Sequence, residues 1–193
     1  MRANSLDLKK VFIHDSFWSK HVDLVRNAII PYQWEAMNDR IPDAESSHCL
    51  ENFKIAAGRA KGDFYGTVFK DTDVAKLLEA VGFSLACYSD EVLEKTADEV
   101  IDLIADAQCE DGYINTYFTI KEPDKRWTDL CEGHELYTAG HLMEAAVAYY
   151  EGTGKRKFLD CMCTFADLIS DTFGTEEGKT SISSDVVQCF DGK

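Results

Sequence analysis

The sequence predicts an all-α protein, and three observations support that class. Proline is rare, with 3 residues in 193, while Ala, Leu, Glu and Asp are abundant. Apolar residues recur at helical spacing in several segments, and no strand-like alternation of apolar and polar residues stands out. The predicted helices follow one another as antiparallel pairs, an order found in helical bundles, solenoids and α/α toroids.

The first predicted helix runs from Ser16 to Asp39, with Ser16 as its N-cap. Pro31 should kink or break it, which leaves open whether the segment is one helix or two. A short helix from Cys49 to Ala60 follows, and residues 61–70, with their glycines and aromatic side chains, predict an ordered loop.

Two amphipathic stripes predict the next pair of helices. Asp71 is expected to cap the first and Ser89 the second, because both residue types favour helix N-termini. The second helix should end at the turn Glu110–Gly112, and an aromatic loop is expected over residues 112–131.

The last pair of predicted helices covers His134 to Glu151 and Lys155 to Phe173. Gly152 and Gly154 should end the first of them, since glycine is the residue most often found after a helix C-terminus.

Composition excludes several function classes. Lys and Arg number 20 against 35 Asp and Glu, so the net charge is −15, which disfavours binding to nucleic acid or anionic membranes. No apolar run approaches the roughly 18 residues of a membrane span, and no secretory signal is apparent, so a cytoplasmic location is expected. The 7 cysteines show no metal-site spacing and are expected to be free thiols.

The densest polar segment is CEGHELYTAGH, residues 131–141. Its histidines, His134 and His141, lie seven residues apart, about 10.5 Å along a helix, which is too far for one metal ion. We expect His134 to point into a cavity at the helix N-terminus and to hydrogen-bond a ligand hydroxyl. The alternative is a core histidine that bonds to a neighbouring carbonyl, which is the expected role of His141.

Aromatic and acidic residues give further candidates. Tyr113 and Tyr117 in QCEDGYINTY offer flat faces either for sugar stacking or for core packing. Two carboxylates that flank a glycosidic bond are the usual device of sugar hydrolases. The candidates for such a pair are Asp71, Asp73, Asp111, Glu132 and Glu135.

Several segments together resemble glycoside hydrolase family 127, whose typical member is a non-reducing-end β-L-arabinofuranosidase. They are IIPYQWEAMND (29–39), NFKIAAG (52–58), VFKDTDVAKLLEA (68–80), AQCEDGYINT (107–116), GHELYTAGHLMEAAVAYYEGTG (133–154) and FGTEEGK (173–179). The resemblance runs from about Phe12 to Lys179, nearly the whole chain.

The resemblance implies that residues 1–179 are the N-terminal part of an (α/α)6-barrel catalytic domain, an incomplete barrel. It implies that L-arabinofuranosides are the substrates and that His134 lines the sugar pocket. Asp73, Tyr113 and Tyr137 lie in matching motifs and are further candidates for substrate binding. Family chemistry uses a zinc-bound cysteine nucleophile and a glutamate acid/base, but no zinc ligand or catalytic residue is identified in this chain.

The segment 180–193 does not match the family motifs, and we expect a divergent tail, disordered or produced by a frameshift. The chain is then expected to be a truncated, inactive form with exposed apolar helix faces and marginal stability. Two alternatives are a non-catalytic carbohydrate-binding helical module and a different α-toroid, such as an epimerase-like or cyclase-like protein. The oligomeric state stays open.

Overall fold

The computed structural model describes residues 8–181, where the regular structure is helical. The α-helices are α1 (Trp18–Leu24), α2 (Ile30–Met37), α3 (Cys49–Ala56), α4 (Asp71–Cys87), α5 (Glu91–Asp106), α6 (Thr116–Ile120), α7 (Glu135–Thr153) and α8 (Lys157–Thr172). Within residues 8–181 there is no β-strand, and an isolated β-bridge joins Phe173 to Thr180. The predicted all-α class is confirmed. The predicted tail, 180–193, lies almost wholly outside the described residues.

The first helical stretch continues through Pro31 instead of breaking there. A π-helical segment, Val25–Ile29, joins α1 to α2, and the N–H of Ile30 bonds to the carbonyl of Val25, five residues back. This wider turn loosens the backbone just before the proline ring. The predicted cap at Ser16 is wrong, because the carboxylate of Asp15 accepts the N–H groups of Phe17 and Trp18 at 2.8 and 2.5 Å.

Helices α4 and α7 lie side by side and run in the same direction. Lys76 near the start of α4 contacts Tyr137 near the start of α7, and Gly82 lies against Ala148 further along. Each of the two helices is followed after a short turn by an outer helix, α5 or α8. The helical hairpins α4–α5 and α7–α8 therefore stand next to each other as two inner–outer pairs.

The contact between α4 and α7 is close because two glycines face it. A Cβ atom on Gly82 would lie 2.6 Å from the carbonyl carbon of Ala148, and one on Gly152 would meet the carbonyl oxygen of Gly82. Such approaches are possible only without side chains, so the two inner helices are packed backbone to backbone at this point.

The ends of the later helices differ slightly from those predicted. Asp90 caps α5, with its carboxylate accepting the N–H of Leu93 at 3.0 Å, so the predicted cap at Ser89 is one residue early. Helix α7 continues through Gly152, where the sequence predicted its end, and ends at Thr153. Gly154 follows with a φ of 81°, the left-handed conformation that glycine adopts without strain.

The core lies between the two hairpins and α3. Phe53, Ile104, Leu142, Tyr149 and Phe165 are at most 1% exposed. The described surface also carries large apolar side chains, among them Phe12, Phe17 and Trp18 before and in α1, and Phe83 and Val147 on the inner helices. None of the described helices combines the length and apolar character that a membrane crossing requires.

Candidate functional site

Because α4 and α7 are parallel, their N-termini lie at the same end of the molecule, and an acidic residue begins each helix. Asp71 begins α4 and is 1% exposed. Its carboxylate accepts the backbone N–H of Thr116 at 2.7 Å and the hydroxyl of Thr116 at 2.5 Å. Asp71 therefore anchors the segment that leads into α6. The prediction that Asp71 caps its own helix is wrong, because no side chain caps α4. Burial raises the pKa of Asp71 to about 6, although the bonds from Thr116 oppose that shift.

Glu135 begins α7 and is also 1% exposed. One carboxylate oxygen accepts the hydroxyl of Tyr113, and the other accepts the backbone N–H of Trp127 at 2.7 Å. Burial raises the pKa of Glu135 above its ordinary range, while the two donors lower it in part. Two buried carboxylates thus anchor the aromatic loop of residues 112–131. Asp71 holds it at Thr116, and Glu135 holds it at Tyr113 and Trp127.

Tyr113 lies in the interior, with none of its surface exposed. Its ring meets Trp127 and Phe165 edge-on, with centroids 5.1 and 5.6 Å away, and the guanidinium of Arg126 lies 4.0 Å from its centroid. Desolvation raises its pKa. This burial favours core packing over the stacking role that the sequence also allowed, and it leaves no open ring face on Tyr113 for a ligand.

His134 lies immediately before α7 in the left-handed conformation, with φ of 52°. Its Nδ1 atom is 2.8 Å from the carbonyl oxygen of Glu132, and its ring lies 5.1 Å from that of Phe69 and 5.8 Å from that of Tyr137. The half-buried ring is thus held by a backbone carbonyl at the end of the molecule where the inner helices begin.

Tyr137 connects His134 to the neighbouring helix. Its hydroxyl accepts a hydrogen bond from Nζ of Lys76 on α4 at 3.3 Å, and its ring meets that of His141 edge-on at 4.6 Å. The structure therefore brings His134 and Tyr137 together, and it links Tyr137 to Lys76 on α4.

Asp73 lies one turn before Lys76 on α4, and both line an open cleft of about 350 Å³. Asp73 pairs with Lys70 at 2.9 Å and remains 44% exposed. Ser47 and Gln33 add polar groups to the cleft, whose other walls are mainly apolar. Asp73 is consequently the candidate carboxylate that opens onto a space large enough for a small ligand.

The other candidate carboxylates have different roles. Asp111 accepts the N–H of Tyr113 at 3.1 Å and pairs with Arg126 at 3.2 Å, so it stabilises the turn at Gly112. Glu132 is exposed in the loop before α7. With Asp71 and Glu135 buried in the anchoring of the loop, the geometry does not bring a predicted pair of these carboxylates together across a cleft.

Three site residues were not predicted from the sequence. Lys76 follows Asp73 at a spacing of three, which places both on one helix face, and that spacing could have indicated it. Phe69 and Tyr65 come from the loop 61–70, where Phe69 faces His134 and Tyr65 lies 4.4 Å from the ring of His48. Their aromatic character was visible, but their partners are distant in sequence.

Within residues 8–181, no group of three His, Cys, Asp or Glu side chains is placed to hold a metal ion. The cysteines Cys49, Cys87, Cys109, Cys161 and Cys163 are free thiols, as expected. Cys131 is an exception to that expectation, because it is disulfide-bonded. Burial raises the pKa of Cys161 to about 11, which keeps this thiol protonated and unreactive at neutral pH.

Fold and site together define an all-α protein of paired helical hairpins, whose polar and aromatic site lies where α4 and α7 begin. Residues 10–188 match the family described as beta-L-arabinofuranosidase, GH127 catalytic domain. The chain belongs to glycoside hydrolase family 127, and its helical hairpins are part of the (α/α)6 barrel of that family.

Known relatives agree with this assignment. A non-reducing-end β-L-arabinofuranosidase of Bifidobacterium longum subsp. longum is 41% identical over 185 residues, which cover 88% of this chain and 28% of the relative. The crystal structure of a GH127 β-L-arabinofuranosidase from Geobacillus stearothermophilus T6 superposes with a TM-score of 0.87 at 60% identity, covering 88% of this chain and 27% of that one.

A second solved GH127 β-arabinofuranosidase gives a TM-score of 0.81 at 33% identity, over 91% of this chain and 28% of that one. The chain therefore spans little more than a quarter of the length of these relatives.

Proposed function

We propose that the chain forms one wall of the sugar pocket in an enzyme that releases β-L-arabinofuranose from the non-reducing ends of plant-type glycans. The observation that carries this proposal is His134, held by the carbonyl of Glu132 beside Tyr137 and Phe69 at the start of an inner helix. The β-L-arabinofuranosidase activity for which the relatives are named supports the same substrate class.

Each side chain of the proposed site has a role suited to a furanose. His134 hydrogen-bonds a sugar hydroxyl, and the rings of Phe69 and Tyr137 pack against the apolar face of the sugar. The carboxylate of Asp73 accepts hydroxyl groups from the side of the cleft. Tyr113, which is buried, acts through the position of the aromatic loop and does not touch the sugar.

Bond cleavage is assigned to no residue of this chain. Asp71 and Glu135 are buried and bonded to the loop, so neither is placed to serve as an acid or a nucleophile. The described residues do not fit a zinc ion, and the zinc centre implied by the family is proposed to lie outside residues 8–181. The chain alone is accordingly proposed to be inactive. A cytoplasmic location is also proposed; the five described free thiols favour it, whereas the disulfide bond of Cys131 counts against it.

A second candidate is a non-catalytic carbohydrate-binding module. It is favoured by the cluster of His134, Phe69 and Tyr137, which needs no metal and no residue beyond those described. Binding without hydrolysis by this chain is expected under both candidates. Only a longer protein with hydrolytic activity distinguishes them.

Titration of the 193-residue chain with methyl β-L-arabinofuranoside, followed by amide NMR shifts, tests the proposal. We expect saturable shifts at millimolar ligand around Phe69, Asp73, His134 and Tyr137. His134→Ala should weaken binding about tenfold or more, since one lost hydrogen bond to the ligand is worth about 1.4 kcal/mol.

His21→Ala is the matched control, because His21 lies on α1 and is bonded to the carbonyl of Phe17 at an exposed position. The affinity of the His21→Ala variant for methyl β-L-arabinofuranoside should equal that of the unmodified chain. Absence of any shift at millimolar furanoside, in a folded sample, would refute sugar binding by this chain under both candidates.

A further inference from the structure

The loop from Trp127 to His134, here called the 127–134 loop, begins and ends in left-handed backbone. The φ angle is 62° at Trp127 and 52° at His134, and neither residue is glycine. Such residues cost about 1–3 kcal/mol each and persist only where surrounding contacts hold them. The loop must therefore be fastened at both ends.

Glu135 fastens the start of this loop against the start of α7. Its carboxylate accepts the N–H of Trp127 at 2.7 Å, which holds the first left-handed residue. The second left-handed residue, His134, lies at the start of α7, where its carbonyl accepts the N–H of Thr138 at 2.9 Å. The hydroxyl of Tyr113 bonds to the other carboxylate oxygen, so the side chain of Glu135 has little freedom to move. Hydrogen bonds to a buried carboxylate are among the strong ones in proteins.

The ring of His134 depends on the geometry of this loop. Nδ1 lies 2.8 Å from the carbonyl oxygen of Glu132, a residue inside the loop. A carbonyl only accepts hydrogen bonds, so Nδ1 must carry the hydrogen. In the neutral ring Nε2 then carries no hydrogen and is an acceptor. A free histidine side chain prefers the other tautomer, in which the hydrogen is on Nε2.

We infer that Glu135 is a positioning residue that fastens the 127–134 loop and thereby holds His134 with its hydrogen on Nδ1 and its Nε2 as an acceptor. A sugar hydroxyl would donate to Nε2. That last step rests on the proposed function, whereas the tautomer and the role of Glu135 do not.

Nitrogen NMR of the histidine rings in the full chain, without sugar, tests the inference at about pH 8, above the ordinary titration range of histidine. Comparison with His134→Ala assigns the signals. We expect the unmodified chain to show His134 with a protonated Nδ1 and an unprotonated Nε2. A His134 ring protonated on Nε2 overturns the inference without any further variant.

Glu135→Gln keeps the volume of the side chain but weakens the bonds to Trp127 and Tyr113. We expect loss of the unprotonated Nε2 signal of His134 as the ring returns toward the ordinary tautomer. Asp71→Asn is the matched control, because it changes the buried acidic residue at the start of the other inner helix, bonded to Thr116 instead. It should leave the His134 tautomer unchanged.

A purely structural role for Glu135 predicts lower stability in Glu135→Gln with the tautomer of His134 unchanged, and that result overturns the inference. If Glu135→Gln does not fold, Tyr113→Phe decides, since it removes one donor to Glu135 and keeps the ring. A partial loss of the Nε2 signal supports the role of Glu135, and the unmodified spectrum overturns it. Sugar is absent throughout, so failure here leaves sugar binding to be judged by its own titration.

Discussion

Replacing Phe165 by alanine is expected to lower the free energy of unfolding by about 3–5 kcal/mol, the usual cost of removing a buried phenylalanine ring. Phe165 has none of its surface exposed, and its ring contacts Tyr113 and Trp127, which belong to the aromatic loop. The substitution therefore leaves a cavity between α8 and the loop. Chemical denaturation followed by circular dichroism measures the change.

Phe83→Ala is the control for this substitution. Phe83 is also helical, in α4, but 43% of its surface is exposed. Since both changes alter helix propensity equally, the difference between the two variants reports burial alone. Phe83→Ala should cost about 1 kcal/mol or less. Equal losses in the two variants would show that Phe165 is not in the core.

Replacing Gly82 by alanine is expected to destabilise the chain by about 2 kcal/mol, because overpacking typically costs about 1–3 kcal/mol and sometimes more. The new methyl group would lie 2.6 Å from the carbonyl carbon of Ala148, and a backbone atom cannot turn aside as a side chain does. Helices α4 and α7 must separate to admit it. Thermal and urea unfolding measure the effect.

Gly140→Ala provides the opposite case on α7. A Cβ atom there has nothing within 4 Å, so only the higher helix propensity of alanine acts, and stability should rise by up to about 1 kcal/mol. The two glycine variants should thus shift stability in opposite directions. A stabilised Gly82→Ala variant would contradict the close parallel packing of the inner helices.

The main helices could be predicted from the sequence because their apolar stripes are long and regular. The stripe of Phe158, Met162 and Phe165 in α8 is an example, and all three are buried. Helix starts were less predictable, since neighbouring residues compete for the same N–H groups. Asp15 and Asp90 act as caps where Ser16 and Ser89 were expected, each shifted by one position.

The candidate site could be predicted only in part. His134 and Tyr137 lie three residues apart at the start of one helix, so their proximity follows from helical geometry. The two anchoring contacts join residues that are distant in sequence. Tyr113 and Glu135 are 22 residues apart, and Asp71 and Thr116 are 45 residues apart. Helix α6, with five residues, is too short to give a periodic signal and was predicted as loop.

The central claim, that this chain forms a working wall of an arabinofuranosidase pocket, is tested most directly by a chimera. Residues 10–188 would replace the matching segment of the Geobacillus stearothermophilus relative, with which the chain shares 60% identity. We expect the chimera to release L-arabinose from a β-L-arabinofuranoside, and His134→Ala within it to lower kcat/KM at least about tenfold. A folded chimera without activity, or one indifferent to His134→Ala, would contradict the claim.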